Sequence, residues 1–160
     1  GALDPGRPAS ETSIQVGCVR LEDEPFATPD LLKLDLQGGE MAALHGLGSY
    51  LRGIKLLYIE YDLFRFKDRV PYLRDKGYRC FYDHVQFGCD DKGAAKTCAR
   101  KYGINIIKHD PDLGFYTGSF TEKSPLNENG ELLPEARADM LANEIKYFQT
   151  DILAIREDCP

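Results

Sequence analysis

Short apolar runs alternate with helix-spaced apolar residues through the middle of this chain, and that alternation limits its fold more than any other feature. Leu31, Leu32, Leu34 and Leu36 cluster around Lys33 and Asp35, as in a strand buried on both faces. Gly38 and Gly39 follow, and behind Glu40 the residues Met41, Leu44, Leu47 and Leu51 recur at near-helical spacing. Ile54 to Ile59 (IKLLYI) is a second buried-strand pattern, ending at Glu60, Tyr61 and Asp62. Phe66, Val70 and Leu73 repeat at i, i+4, i+7, with Pro71 placed to shorten or offset the helix and Gly77 to stop it. Tyr78 to Tyr82 (YRCFY) reads as a third strand that ends at Asp83 and His84. Strand, helix, strand, helix, strand predicts right-handed crossovers: an α/β fold with a mostly parallel sheet and flanking helices. Ligands of such sheets sit outside the carboxyl ends of the strands, which puts Asp35, Glu60 to Asp62, Asp83 and His84 forward.

The flanks are less regular. Residues 1–12, with Pro5, Pro8 and little apolar content, read as a linker or chain edge. Ser13 to Leu21 reads as a modest strand and Glu22 to Pro29 as a loop. Ala94 to Tyr102 suits a short helix, and Ile104 to Ile107 and Leu113 to Phe120 suit weaker strands, so that 13–120 forms one α/β unit. Residues 121–130 form a loop. Over 131–160 a carboxyl-terminal helix is expected, starting at Pro134 and running to about Ile155. Its stripe is Leu141, Ile145, Phe148, Ile152 and Ile155, packed on the chain's own sheet.

Composition narrows the function. Twenty Lys and Arg against 26 Asp and Glu give a net charge of −6, which opposes duplex binding and sets nucleic acid aside as a partner. With 42% hydrophobic and 29% charged residues the chain suits a packed core. The apolar runs are too short for a membrane span and no leader pattern opens the chain, so no membrane partner and a cytoplasmic location are expected. Cys18, Cys80, Cys89, Cys98 and Cys159 are scattered without a CxxC pair, as reduced thiols would be. Cys80, His84, Cys89 and Cys98 lack zinc-ligand spacing, and no metal is expected. HExxH, GxSxG and Walker A patterns are absent from the sequence.

The segment Asp30 to Leu47 (DLLKLDLQGGEMAALHGL) resembles the FkbM-type methyltransferases, in which a buried strand of the form DLLKIDVEGAE ends in an acid and a glycine before a helix opening on Glu. IKLLYIEYD resembles that family's next strand, and the resemblance extends over about Ser13 to Gln86. Gln37 stands where the family usually has Glu, and Gly39 where it has Ala. The resemblance implies a Rossmann-like class I methyltransferase fold, of which the chain matches the later strands only. It also implies S-adenosylmethionine as cofactor and methyl transfer to an oxygen or nitrogen of a small or glycan-like acceptor. No glycine-rich strand-to-helix turn precedes Ser13, so the chain reads as the C-terminal part of the catalytic domain, and poor donor binding by the chain alone is expected.

The expected catalytic residues are Asp35, Glu60, Asp62 and His84, and the expected donor-binding residues are Asp35, Gln37 and Gly38. By resemblance Asp35 lies near the methionine end of the donor; its residue type equally suits a cap on the following helix. Glu40 suits the positive end of that helix whether or not it is functional. Glu60 and Asp62 share one side of their strand, with Tyr61 on the other, so they either face a cleft or form a solvated acidic end. Asp83 with His84 is either a general base or a surface pair. The alternative function is a non-catalytic half-domain, an interaction or accessory module. An exposed sheet edge would suit a homodimer.

Overall fold

The computed structural model describes residues 17–25, 27–64, 67–121 and 124–159. The strands are β1 (Leu31–Leu34), β2 (Leu56–Asp62), β3 (Tyr78–Gly88), β4 (Ile104–Asp110), β5 (Phe115–Phe120) and β6 (Tyr147–Arg156). The helices are α1 (Glu40–Gly46), α2 (Arg69–Asp75), α3 (Lys92–Lys101) and α4 (Pro134–Ala142), with 3-10 turns at Leu21–Asp23 and Gly48–Gly53. The α/β alternation over the centre of the chain is therefore present. Gly77 takes the left-handed φ of +81° that closes α2, and Pro134 opens α4.

The sheet is mixed, which corrects the expectation of a mostly parallel one. Its six strands are ordered β1-β2-β6-β3-β5-β4. Among the described residues only β1 and β2 pair in parallel; β2–β6, β6–β3, β3–β5 and β5–β4 are antiparallel. The cause is that β6 returns between β2 and β3, while β5 folds back on both β3 and β4. Two reversals lie between β2 and β3 and two between β3 and β4, so β1, β2, β3 and β4 still point the same way. Their carboxyl ends open at one end of the sheet.

The largest correction concerns 131–160. The helix stops at Ala142, Glu144 takes a left-handed φ of +56°, and Tyr147–Arg156 is a central strand. Phe148, Thr150, Ile152 and Ala154 are buried, while Tyr147, Gln149, Asp151 and Leu153 face the other way. The spacing of Ile145, Phe148, Ile152 and Ile155 imitates a helical stripe, but the segment is rich in β-branched and aromatic residues and is polar at every second position from Tyr147 to Asp151. Leu141, read as part of the stripe, is 54% exposed.

Other boundaries move as well. Gly17–Arg20 are irregular and exposed, so the strand read over Ser13 to Leu21 is absent from its described part; residues 1–12 and 13–16 lie outside the described residues, as does Phe66. Leu31 is 58% and Leu36 43% exposed, so β1 is an outer strand rather than one buried on both faces. Asp83 and His84 lie inside β3, which runs on to Gly88, instead of beyond its end. The helices share one core with the sheet. Leu44, Val70, Leu73, Ala95, Cys98 and Met140 pack with Leu57, Ile59, Tyr61, Phe87, Phe148 and Ile152. The alternate strand positions, among them Tyr58, Glu60, Asp62, Gln149 and Asp151, form the opposite face and stay partly exposed.

Candidate functional site

At the carboxyl ends of β1 and β2 the sequence LeuAspLeuGlnGlyGlyGlu must turn from strand to helix within a few residues. Gln37 and Gly38 do so with φ of +52° and +106°, the second a backbone state that glycine adopts freely. The turn is held from within by Glu40. Its Oε1 accepts the backbone N–H of Leu36 at 2.9 Å and of Gly38 at 3.1 Å, and its Oε2 accepts from Arg69 Nη2. Glu40 and Arg69 are both buried, and the Arg69 guanidinium also lies 5.4 Å from the Tyr61 ring centroid. Burial pushes the Glu40 carboxyl up, but the backbone donors and Arg69 outweigh it and hold it below its ordinary value. The ion pair thus ties the start of α1 to the start of α2.

The held turn presents Gln37 to two carboxylates. Its Nε2 donates to Asp35 Oδ1 at 3.2 Å and to Glu60 Oε2 at 2.9 Å. Leu34 pairs with Ile59, so Asp35 and Glu60 leave adjacent parallel strands side by side. Their environments push them apart. Asp35 is lowered by the Gln37 and Lys33 contacts, with Lys33 Nζ 3.3 Å away. Glu60 is raised, first by burial and then, against a hydrogen bond from Gln149, by the charges of Asp35 and Glu40. Two neighbouring carboxyls of opposed proton affinity suit acid–base work, one staying ionised while the other exchanges a proton.

These groups border a cleft of about 90 Å³ lined by Gln37, Gly38, Glu40, Glu60, Asp62, Tyr147 and Gln149. The structure therefore brings Gln37, Gly38, Glu60 and Asp62 together, with Asp35 at the rim through Gln37. Asp62 Oδ1 also accepts from Phe64 N at 2.9 Å, which fixes it at the strand end. His84 is not part of this lining. It lies two strands from β2, with Nδ1 2.9 Å from Asp151 Oδ2, an oxygen that also accepts from Tyr58 Oη at 2.9 Å. Asp151 is the register partner of Glu60 on β6. Tyr147, Gln149 and Asp151 were missed because their segment reads as a helix; their polar positions, alternating with Phe148, Thr150 and Ile152, are the signal that would have placed them.

The matched sequence now has a structural frame. Residues 7–80 match the methyltransferase FkbM domain. The match contains β1, the Gln37–Gly38 turn, Glu40, β2 and Arg69, and ends within β3. It leaves Tyr147, Gln149 and Asp151 outside. No curated protein and no solved structure matches the chain. Among the described residues no group of three or more His, Cys, Asp or Glu side chains is placed to hold a metal, and no helix is long and apolar enough to cross a membrane.

Proposed function

We propose that the chain carries the acceptor-side part of a methyltransferase site, in which Glu60 takes a proton from an oxygen or nitrogen nucleophile on a small or glycan-like acceptor. The observation that carries this reading is the Asp35–Gln37–Glu60 bridge at the ends of two parallel strands inside the segment that matches the FkbM domain. Rossmann-like class I architecture is part of the proposal, supported by β1, β2 and β3 running in one direction with α1 and α2 between them.

S-adenosylmethionine supplies a methyl group on a sulfonium cation. Glu40, Glu60 and Asp62 in the cleft wall, and Asp35 at its rim, suit a positively charged group. The cleft has room for only a few non-hydrogen atoms, since one water occupies about 30 Å³ in the liquid. It therefore suits the reacting end of the donor and not its nucleoside, and Asp35, Gln37 and Gly38 are the residues that would border that end. Glu60, with its raised proton affinity, accepts the proton that the nucleophile gives up. Asp35, held ionised by Gln37 and Lys33, keeps a negative charge beside it. Gln37 fixes the distance between the two carboxyls, and Glu40 with Arg69 fixes Gln37. In this proposal His84, one strand beyond Asp151, acts on acceptor groups farther along the sheet face.

Transfer of labelled methyl from S-adenosylmethionine to a panel of hydroxyl- and amine-bearing sugars tests the reading. Glu60→Gln is expected to lower kcat by about 10²–10⁴-fold, the range for loss of a general base, with a smaller change in donor KM. Unchanged kcat in Glu60→Gln overturns it. Absence of transfer by the full-length gene product favours the accessory half-domain instead.

A further inference from the structure

A second pocket lies on the helix-covered side of the sheet, between α3 and the β4–β5 hairpin. It measures about 490 Å³ and is lined by Lys92, Lys96, Ile106, His109 and Tyr116. Lys92 and Lys96 stand one turn apart on α3, where like charges repel. Among the described residues neither side-chain ammonium makes an ion pair or a hydrogen bond with the protein. Both are exposed, so their two charges stand together at the pocket mouth in a chain whose net charge is −6.

Three acids at the ends of these elements have partners of their own. Asp91 caps α3 by accepting from Gly93 N at 2.6 Å and Ala94 N at 3.2 Å, and Asp110 accepts from Asp112 N at 3.1 Å and Leu113 N at 3.2 Å. Asp90 pairs with Lys146. The wall opposite the lysines is a ring stack: His109 on Tyr116 with centroids 4.3 Å apart, and Tyr116 on Phe87 at 5.1 Å. Tyr116 is 3% exposed, and its hydroxyl is sealed from solvent without a hydrogen-bond partner among the described residues.

We propose that Lys92, Lys96, His109 and Tyr116 form a binding site for a small anionic molecule, with a phosphate or carboxylate head against the two lysines and a planar or apolar body on Ile106 and the His109 ring. The pocket's size falls in the range of small-molecule sites, roughly 300–1,000 Å³. The lysines supply charge-assisted hydrogen bonds, and the His109 and Tyr116 rings supply the apolar wall. The site is independent of the carboxylate cleft: it shares no residue with it and stands whether or not the chain takes part in methyl transfer.

The test is an amide NMR titration of the 160-residue chain with phenyl phosphate, benzoate and benzyl alcohol, together with inorganic phosphate. Phenyl phosphate or benzoate is expected to shift the Lys92–Lys96 and His109–Tyr116 amides saturably, and the tighter of the two identifies the head group. Lys92→Ala with Lys96→Ala is expected to weaken that binding at least tenfold, and Tyr116→Phe, which keeps the ring stack and removes only a sealed hydroxyl, to leave it within twofold. Glu60→Gln is expected to leave it unchanged. No saturable shift at millimolar probe, equal shifts with benzyl alcohol, or undiminished affinity in the double-lysine variant overturns the proposal.

Discussion

The two faces of one sheet divide this protein's labour. Along β2, Leu57, Ile59 and Tyr61 are fully buried under the helices, while Tyr58, Glu60 and Asp62 between them stand half-buried on the other side. β6 repeats the division, with Phe148, Thr150 and Ile152 inside against Gln149 and Asp151 outside. Side chains one residue apart thus differ in what they do: one set holds the layers together by excluding water, the other carries charge to the carboxyl end of the sheet. The Glu40–Arg69 pair is the exception, since it is charged and yet buried.

That exception gives the largest expected effect. Glu40→Ala leaves the Arg69 charge buried without its carboxylate and releases the backbone N–H groups of Leu36 and Gly38. A loss of about 3–5 kcal/mol in chemical denaturation is expected, the usual result of breaking a buried pair. A loss below about 1 kcal/mol would mean that the turn holds itself.

Next comes a direct contrast of neighbours on β2. Ile59→Ala is expected to cost about 2–5 kcal/mol through the cavity it opens, whereas Glu60→Gln stays within about 1 kcal/mol of the parent. Equal losses would break the division between the faces.

The pH dependence sharpens the same contrast, with opposite signs for two glutamates. Glu40 is lowered in the folded chain, so its contribution is present above the ordinary glutamate range and is lost as pH falls through its folded value. Glu60 is raised, so its contribution is present at low pH and is lost as pH rises through its folded value. Glu60→Gln is therefore expected to gain stability relative to the parent between about pH 4 and pH 7, read from denaturation midpoints at the two pH values. A relative loss over that interval would contradict the raised Glu60.

The smallest effect belongs to the outer polar network. Asp151→Asn weakens the acceptor shared by His84 and Tyr58, and about 1 kcal/mol or less is expected, because His84 is 44% exposed at the side chain. A larger loss in thermal unfolding would show this network to be part of the framework.

Much of the central region was legible in the sequence. The runs at Leu31 and Ile54 became β1 and β2, the glycines after Asp35 became the turn, and the alternation at Glu60–Tyr61–Asp62 gave the correct faces. Local pattern suffices there, because a short apolar run and a helix start are set by nearby residues. The last thirty residues were not legible in the same way. A spacing of three and four between Ile145, Phe148, Ile152 and Ile155 fits a helix locally, and only the open place between β2 and β3 makes the strand the better answer. The cleft was half legible for the same reason: Gln37, Gly38, Glu60 and Asp62 come from the matched segment, whereas Tyr147 and Gln149 arrive from β6.

The sequence by itself determined the α/β alternation, the acidic strand ends and the turn that follows Asp35, because periodicity and glycine act over a few residues. Tertiary structure alone decided the direction of the sheet's inner strand and the burial of Arg69 against Glu40. It also decided the meeting of Asp35 with Glu60 through Gln37 and the exclusion of His84 from their cleft. Those outcomes depend on which strands become neighbours, and strand pairing is fixed by the whole core rather than by any one segment.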